Sequence, residues 1–438
     1  MFEKNIEETL KNEALKNNLW KAVNHTLSSR KKVLKNYPNW ELLRENAENI
    51  RKFSIDNLDY LWEEAKNKII RRGGNFYFAE DNEDVKKIIE EILKDYKKNI
   101  IVKSKSMVSE EVGIREYLEK KGFEIYETDL GELIVQWEGK PPSHITAPAI
   151  HLSRFEIAKI FEKKLNIKIS AEPELLTKIA REFLREKFLN ARTSIVGANF
   201  IVSENGSLVL LENEGNIRFC LEIPELVIVL TGYEKIISKL DDLKVLLKIL
   251  PPSATGQFQN CYTSFVPLNK KHHLIVLKSF RKEILNSNFK EILNCIRCGG
   301  CINVCPVFSI IGGHSYNSVY PGPIGIILSF YNQKKFLSKK LLNLCSLCLA
   351  CSEICPVKIP IHKIILKERN LTKKNIFEKI AIKILKFLSH KILFNVAFKI
   401  FNFLPSSLKN IVQKNWTYKR EIIDIKDEDF FKKWKEKN

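Results

Sequence analysis

The stretch Cys295-Ile-Arg-Cys-Gly-Gly-Cys-Ile-Asn-Val-Cys-Pro306 returns in form at Cys345-Ser-Leu-Cys-Leu-Ala-Cys-Ser-Glu-Ile-Cys-Pro356. Both copies read C-x2-C-x2-C-x3-C-P, the run by which ferredoxins hold iron–sulfur clusters. Three thiolates at this spacing on a tight loop wrap three corners of one cubane. The following proline turns the fourth cysteine in a new direction. In two-cluster ferredoxins that fourth cysteine ligates the other cluster. The spacing therefore predicts one 4Fe–4S cluster on Cys295, Cys298, Cys301 and Cys355, and a second on Cys345, Cys348, Cys351 and Cys305. Disulfides would need an oxidising compartment. Zinc sets come as C-x2-C pairs, without a detached fourth thiol. The two remaining cysteines, Cys220 and Cys261, are far away in sequence and read as buried or inert thiols.

The 438 residues are enough for two or three domains, and 45% hydrophobic content supplies their cores. The charged N-terminus has no apolar stretch of a secretory signal, and no run of 18 apolar residues marks a membrane span. Free cysteines without an export signal indicate a reducing cytoplasm. The net charge is +20. The lysines are spread evenly and meet no nucleic-acid motif, so no nucleic-acid partner is expected. A basic surface does suit an acidic redox partner or the inner face of the cell membrane.

Four regions follow along the chain. Residues 1–72 are helical, interrupted at Tyr37-Pro38. Residues 73–284 alternate strands and helices, the pattern of a mainly parallel sheet covered on both faces. Strands are expected at Asn75–Ala79, Ile100–Lys103, Phe123–Tyr126 and Leu133–Trp137. Four more are expected around Ser194–Val196, Asn199–Val202, Leu208–Leu211 and Leu226–Leu230. Residues 285–370 form a helical two-cluster ferredoxin module. Residues 371–438 begin with a basic amphipathic stretch, Ile376–Phe403. It reads either as a helix closing the module or docking a subunit, or as a membrane-surface helix.

Several polar stretches sit at strand ends. Lys103-Ser104-Lys105-Ser106 opens a helix and reads more readily as an ordinary exposed strand–helix loop than as an anion site, though a helix N-terminus with lysines and serines can hold an anion. His144 and His151 read as satisfied loop or cap histidines more readily than as a metal pair. Asn213-Glu214-Gly215-Asn216 is a turn signature that either lines a cleft or closes a hairpin. Ser253-Ala254-Thr255-Gly256-Gln257, after Pro251-Pro252, reads as a loop. No catalytic residue is identifiable, and no G-x-G-x-x-G opening a βαβ unit marks a flavin site.

Taken with Pro142-Ser-His-Ile145, Pro148-Ala-Ile-His151, Gly312-Gly-His314 and Gly322-Pro-Ile-Gly325, these stretches resemble the lactate utilisation protein B family of iron–sulfur proteins. The resemblance runs in order from near residue 1 to about residue 370. It implies an α/β LUD domain, similar to sugar isomerases and CoA transferases, preceded by N-terminal helices and followed by an all-α ferredoxin module. It also implies an electron-transfer subunit of a complex that oxidises L-lactate to pyruvate. The expected partners are a cysteine-rich redox subunit and a second LUD-domain protein. Other readings are service to another hydroxy acid such as glycolate, a disulfide-reducing complex, or an anion-binding redox sensor. One departure is Leu349, where the family commonly has glycine. Anaerobically purified protein is expected to carry about eight irons and eight sulfides per chain. Metal and sulfide analysis giving half that, or zinc, would overturn the reading.

Overall fold

The computed structural model describes residues 2–96, 99–332 and 335–371, with scattered positions beyond. Residues Met1–Leu371 form one compact unit, and Thr372–Asn438 a second. The amphipathic stretch expected at 376–403 lies outside the described residues, apart from isolated positions. Helices span Phe2–Leu10, Glu13–Leu34, Trp40–Asp56 and Leu58–Arg71. The break before Trp40 falls at the expected Tyr37-Pro38. A second break, at Asn57, divides what the periodicity joined.

Ten strands follow among the described residues: β1 Asn75–Ala79, β2 Ile100–Lys103, β3 Glu124–Glu127, β4 Thr193–Val196, β5 Phe200–Val202, β6 Ser207–Glu212, β7 Leu226–Gly232, β8 Ile236–Ile237, β9 Tyr262–Pro267 and β10 His272–Leu277. Six form an all-parallel sheet in the order β1-β10-β7-β4-β2-β3. Side chains alternate between its faces, as a strand's period of two requires. Ile101, Ile195, Ile228 and Ile275 pack on one face with Val85, Ile89 and Leu118. Val102, Val196, Val229 and Leu274 pack on the other with Trp62 and the main core. A smaller mixed sheet, β8-β5-β6-β9, was not foreseen. Its β9 alternates partly buried and exposed positions, so it lacks the apolar run that marks the central strands.

Leu133–Trp137 is not a strand. It lies in the helix Leu130–Glu138, which the Asp129 side chain caps by accepting from Glu132 N at 3.1 Å. Gln136 on this helix serves the free edge of β3. Its Nε2 donates to Ile125 O at 2.7 Å, and its Oε1 accepts from Glu127 N at 3.1 Å. One side-chain amide thus pairs an edge strand as a neighbouring peptide would. The Ser253 stretch is not wholly a loop either. The helix Asp242–Ala254 runs through Pro251 and Pro252 before it ends.

Beyond residue 285 the described residues are helices and turns, including Gly300–Asn303, Gly322–Asn332, Ala350–Ile354 and Ile361–Leu371. No helix among the described residues is long and apolar enough to cross a membrane. Two glycines here are required by contact. A Cβ at Gly313 would lie 1.8 Å from Ser143 O, and one at Gly325 would lie 1.9 Å from Tyr320 O. Gly313 has an ordinary φ of −72°, so its need is steric alone. Gly313→Ala is expected to cost about 3 kcal/mol or more, read as a fall in thermal midpoint. An unchanged midpoint would mean that the Ser143 loop moves freely.

Candidate iron–sulfur centres and the adjoining cleft

The two cysteine motifs adopt matching backbones. Arg297 and Leu347 hold φ of 60° and 57°, and Gly299 and Leu349 hold 75° and 68°. These left-handed turns aim successive thiols inward and free backbone N–H groups. Arg297 N approaches Cys295 Sγ at 3.4 Å, and Leu347 N approaches Cys345 Sγ at the same distance. Leu349 therefore occupies a conformation that glycine adopts without the side-chain clash, which costs about 1–2 kcal/mol.

One cavity is lined by Cys295, Cys298, Cys301 and Cys355, with Ile324 and Ile359 among its apolar walls. Another is lined by Cys305, Cys345, Cys348 and Cys351, with Tyr316 and His362 nearby. Each draws three thiols from one motif and one from the other. His362 does not compete as a ligand through Nδ1, which is 2.7 Å from Ser352 Oγ. Burial pushes the Cys298, Cys351 and Cys355 thiols up to about 12 and raises Cys301 strongly as well. All-sulfur donor sets in dry pockets are stable as thiolates only when a cationic group binds them, and a cubane fits that chemistry.

The N-terminal helices clamp both motifs. Arg44 donates from Nε to Cys355 O at 3.0 Å and from Nη2 to Glu353 O at 2.8 Å. Arg51 donates to Asn294 O at 3.2 Å and Leu293 O at 3.1 Å. A buried charge network joins the sheet to the first motif. Arg281 holds Glu111 through two bonds of 2.8 and 2.9 Å and also binds Glu234. The other oxygen of Glu234 accepts from Arg297 Nη2 at 3.0 Å. Despite burial, the two arginines hold the Glu234 carboxyl well below the usual range.

A cleft of about 320 Å³ opens beside the first cavity, at the carboxyl ends of β2, β4 and β7. Open α/β sheets place ligands at this edge. The polar stretches singled out in the sequence meet here. Lys105, Thr146, Asn213, Glu214 and Thr255 line it, together with Arg297 and Cys298 of the first motif. The Gly299-Gly300 pair permits this convergence. A Cβ at Gly299 would lie 3.1 Å from His144 Cε1, and one at Gly300 would lie 3.0 Å from Ser253 O. Asn213 ties two of the stretches together, donating to Gln257 Oε1 at 2.9 Å and accepting from Cys261 N at 3.0 Å.

Other sequence candidates take structural roles. Lys103 does not face the cleft as an anion ligand. It is buried between Glu127 at 2.8 Å and Glu110 at 3.1 Å, which offset its burial and keep it charged. Glu132 completes this carboxylate group, and burial raises it strongly. Lys103 already supplies the cation that those three carboxylates would otherwise require. The Asn213–Asn216 turn leads into the helix Asn216–Glu222 and does not close a hairpin. Cys220 is buried, and Cys261 is exposed. The two histidines do not converge. His151 Nε2 lies 2.9 Å from Glu138, and its ring packs edge-on against His314. His144 Nδ1 accepts from Thr146 N and Ala147 N at 3.0 and 3.2 Å, so Nε2–H donates to Asn303 Oδ1 at 3.1 Å.

Sequence reasoning missed Lys235, Asn199 and Asn260, all of which line the cleft. Lys235 carried a signal. It stands with Glu234 directly after the apolar run of β7, a place where charge needs a reason.

Residues 62–279 match the LUD domain family, and residues 291–359 match the 4Fe-4S dicluster domain. Lactate utilization protein B of Bacillus cytotoxicus is 39% identical over 395 residues, covering 87% of this chain and 84% of that protein. Lactate utilization protein B 2 of Bacillus mycoides is 41% identical, covering 81% and 78%. A solved DUF162 family protein from Deinococcus radiodurans aligns at 12% identity over 50% of this chain and 98% of its own. Its TM-score is 0.29, too low to argue from.

His144 makes stability depend on pH. Burial, reinforced by Lys105, pushes it down to about 3. An unfolded chain takes up this proton below about pH 6.5, while the folded site refuses it until near 3. Stability is therefore full above 6.5 and falls with acidification, by about 2 kcal/mol between pH 7 and pH 5. His144→Gln is expected to be less stable at pH 7 and to show a flatter fall in thermal midpoint. An equal fall in both proteins would assign the acid sensitivity elsewhere.

Proposed function

The chain belongs to the lactate utilization protein B family, and on that premise we propose that it is the iron–sulfur electron-transfer subunit of a complex oxidising L-lactate to pyruvate. It carries a 4Fe-4S dicluster domain. In this reading the first cluster is held by Cys295, Cys298, Cys301 and Cys355, and the second by Cys305, Cys345, Cys348 and Cys351. The observation that carries it is the composition of the two cavities, each with four thiols drawn from both motifs. Bound clusters supply one-electron exchange. The chain's own part is to hold the thiolates, exclude water with Ile324, Ile359 and Ile326, and fix the loops through Arg44 and Arg51. Cys301 and Cys305 are separated by only three residues, so one short segment links the two cavities.

The partners in this reading are a cysteine-rich redox subunit and a second LUD-domain protein. The site of action is the cytoplasm, with the basic tail available for peripheral membrane contact. A strain lacking the gene is expected to lose lactate-dependent respiration and regain it with the wild-type gene. Respiration on lactate that survives deletion would refute the assignment.

Ligand exchange is tested separately by paramagnetic resonance, with triplet-cysteine variants first establishing which signal belongs to which cluster. Cys305→Ser should damage the cluster held by Cys345, Cys348 and Cys351 and spare the other. Cys355→Ser should do the reverse. If Cys305→Ser selectively disturbs the Cys295 cluster, each motif is self-contained.

A further inference from the structure

We infer that the cleft beside the first cysteine motif is a binding site for a small hydroxycarboxylate, whose carboxylate is received by Lys235 and Arg297. The inner wall is cationic and incomplete. Lys235 is 6% exposed and lines the cleft. Arg297 is 9% exposed. Its Nη2 is committed to Glu234, and its guanidinium lies over the Tyr320 ring at 4.9 Å. Its Nε and Nη1 have no partner. Glu234 accepts from Arg297 through Nη2 and from Arg281 through Nε, and Nε and Nη1 of Arg297 make no bond to it. The two buried, unpaired donors of Arg297 are costly, and an anion held between Arg297 and Lys235 removes that cost.

The remaining walls specify more than an anion. Asn260 Oδ1 is buried without a partner, and Asn199, Asn216 and Thr146 also line the space. Glu212, Glu214 and Asp129 also line the space, Glu212 buried and accepting from Ile217 N at 2.7 Å. These carboxyls oppose a multiply charged anion such as phosphate and offer acceptors to a hydroxyl. Burial and the neighbouring Asp129 raise Glu214 to about 7, so it can exchange a proton near neutrality. A volume of about 320 Å³ is at the small end for ligand sites, which suits a short organic acid with some water. Cys298 lines both this cleft and the first thiol cavity, so a bound acid would sit against the first motif. The choice of a hydroxy acid rests on the proposed lactate-oxidising role, whereas the cationic wall does not.

Calorimetric titration of L-lactate into anaerobically purified full-length protein tests the inference. Saturable one-site binding is expected, weakened about tenfold or more in Lys235→Met, with iron content and paramagnetic signals unchanged. Propionate, which lacks the hydroxyl, should bind more weakly than L-lactate. Asn260→Ala provides a second, milder variant should Lys235→Met fold poorly, and it too should weaken binding. The inference falls if L-lactate, glycolate and pyruvate give no saturable binding up to about 10 mM, or if wild type and well-folded variants bind equally. Full iron without acid binding would remove this site and leave the electron-transfer reading standing. Acid binding by protein that never takes up iron would do the opposite.

Discussion

Glu234 is a fully buried carboxylate shared by two buried arginines, and the rest of the arrangement hangs on that sharing. Arg281 reaches it just beyond β10 and also grips Glu111 at the end of a short helix. Arg297 reaches it from inside the first cysteine motif. The network therefore joins the carboxyl edge of the parallel sheet to the loop that presents Cys295 and Cys298. Such a network has little claim to net stabilisation over an apolar core, but breaking it by removing one partner costs about 3–5 kcal/mol. Its effect is positional. It fixes where the cysteine loop stands relative to the sheet, and so determines that a cleft exists between them.

Much of this was legible from local rules. The cysteine spacing and the two prolines suggested an exchange of fourth cysteines, and the two cavities are lined by the same groupings of thiols. The parallel sheet followed from short apolar runs such as Leu226–Leu230 alternating with helical periods. The polar stretches around Lys105, His144, Glu214 and Ser253 could each be marked as unusual. What could not be read was that they meet. Convergence is set by close approaches such as Gly299 on His144 and Gly300 on Ser253, which no periodicity encodes. Leu133–Trp137 was misread because a short apolar run cannot by itself distinguish a buried helix from a strand. The decisive residue was Asp129, whose cap precedes the run. Lys103 was misread for a related reason. Its partner Glu127 lies on the neighbouring strand, 24 positions away, and only the pairing of β2 with β3 brings them together.

The two motifs are alike in backbone and unlike in surroundings. Gly299 is packed under His144, whereas its counterpart Leu349 is 47% exposed. A side chain can persist at Leu349 because nothing crowds it, although its backbone is strained. The first motif faces Lys235 and the buried arginines, while the second is flanked by His362 and the helix Ile361–Leu371. Cluster potentials respond to nearby charge and hydrogen bonding. Two similar binding loops thus stand in different electrostatic settings.

The mixed origin of each thiol set also orders events in time. Synthesis proceeds from the N-terminus, and Cys355 is made 54 residues after Cys301. The cavity that contains Cys295 cannot acquire its fourth wall until the second motif has left the ribosome. The second cavity equally needs Cys305 held ready from the earlier motif. A chain that ends before Cys345 can complete neither pocket, and one that ends between Cys351 and Cys355 still lacks the fourth thiol of the first. Closure of both pockets is in this way deferred until the second motif is complete.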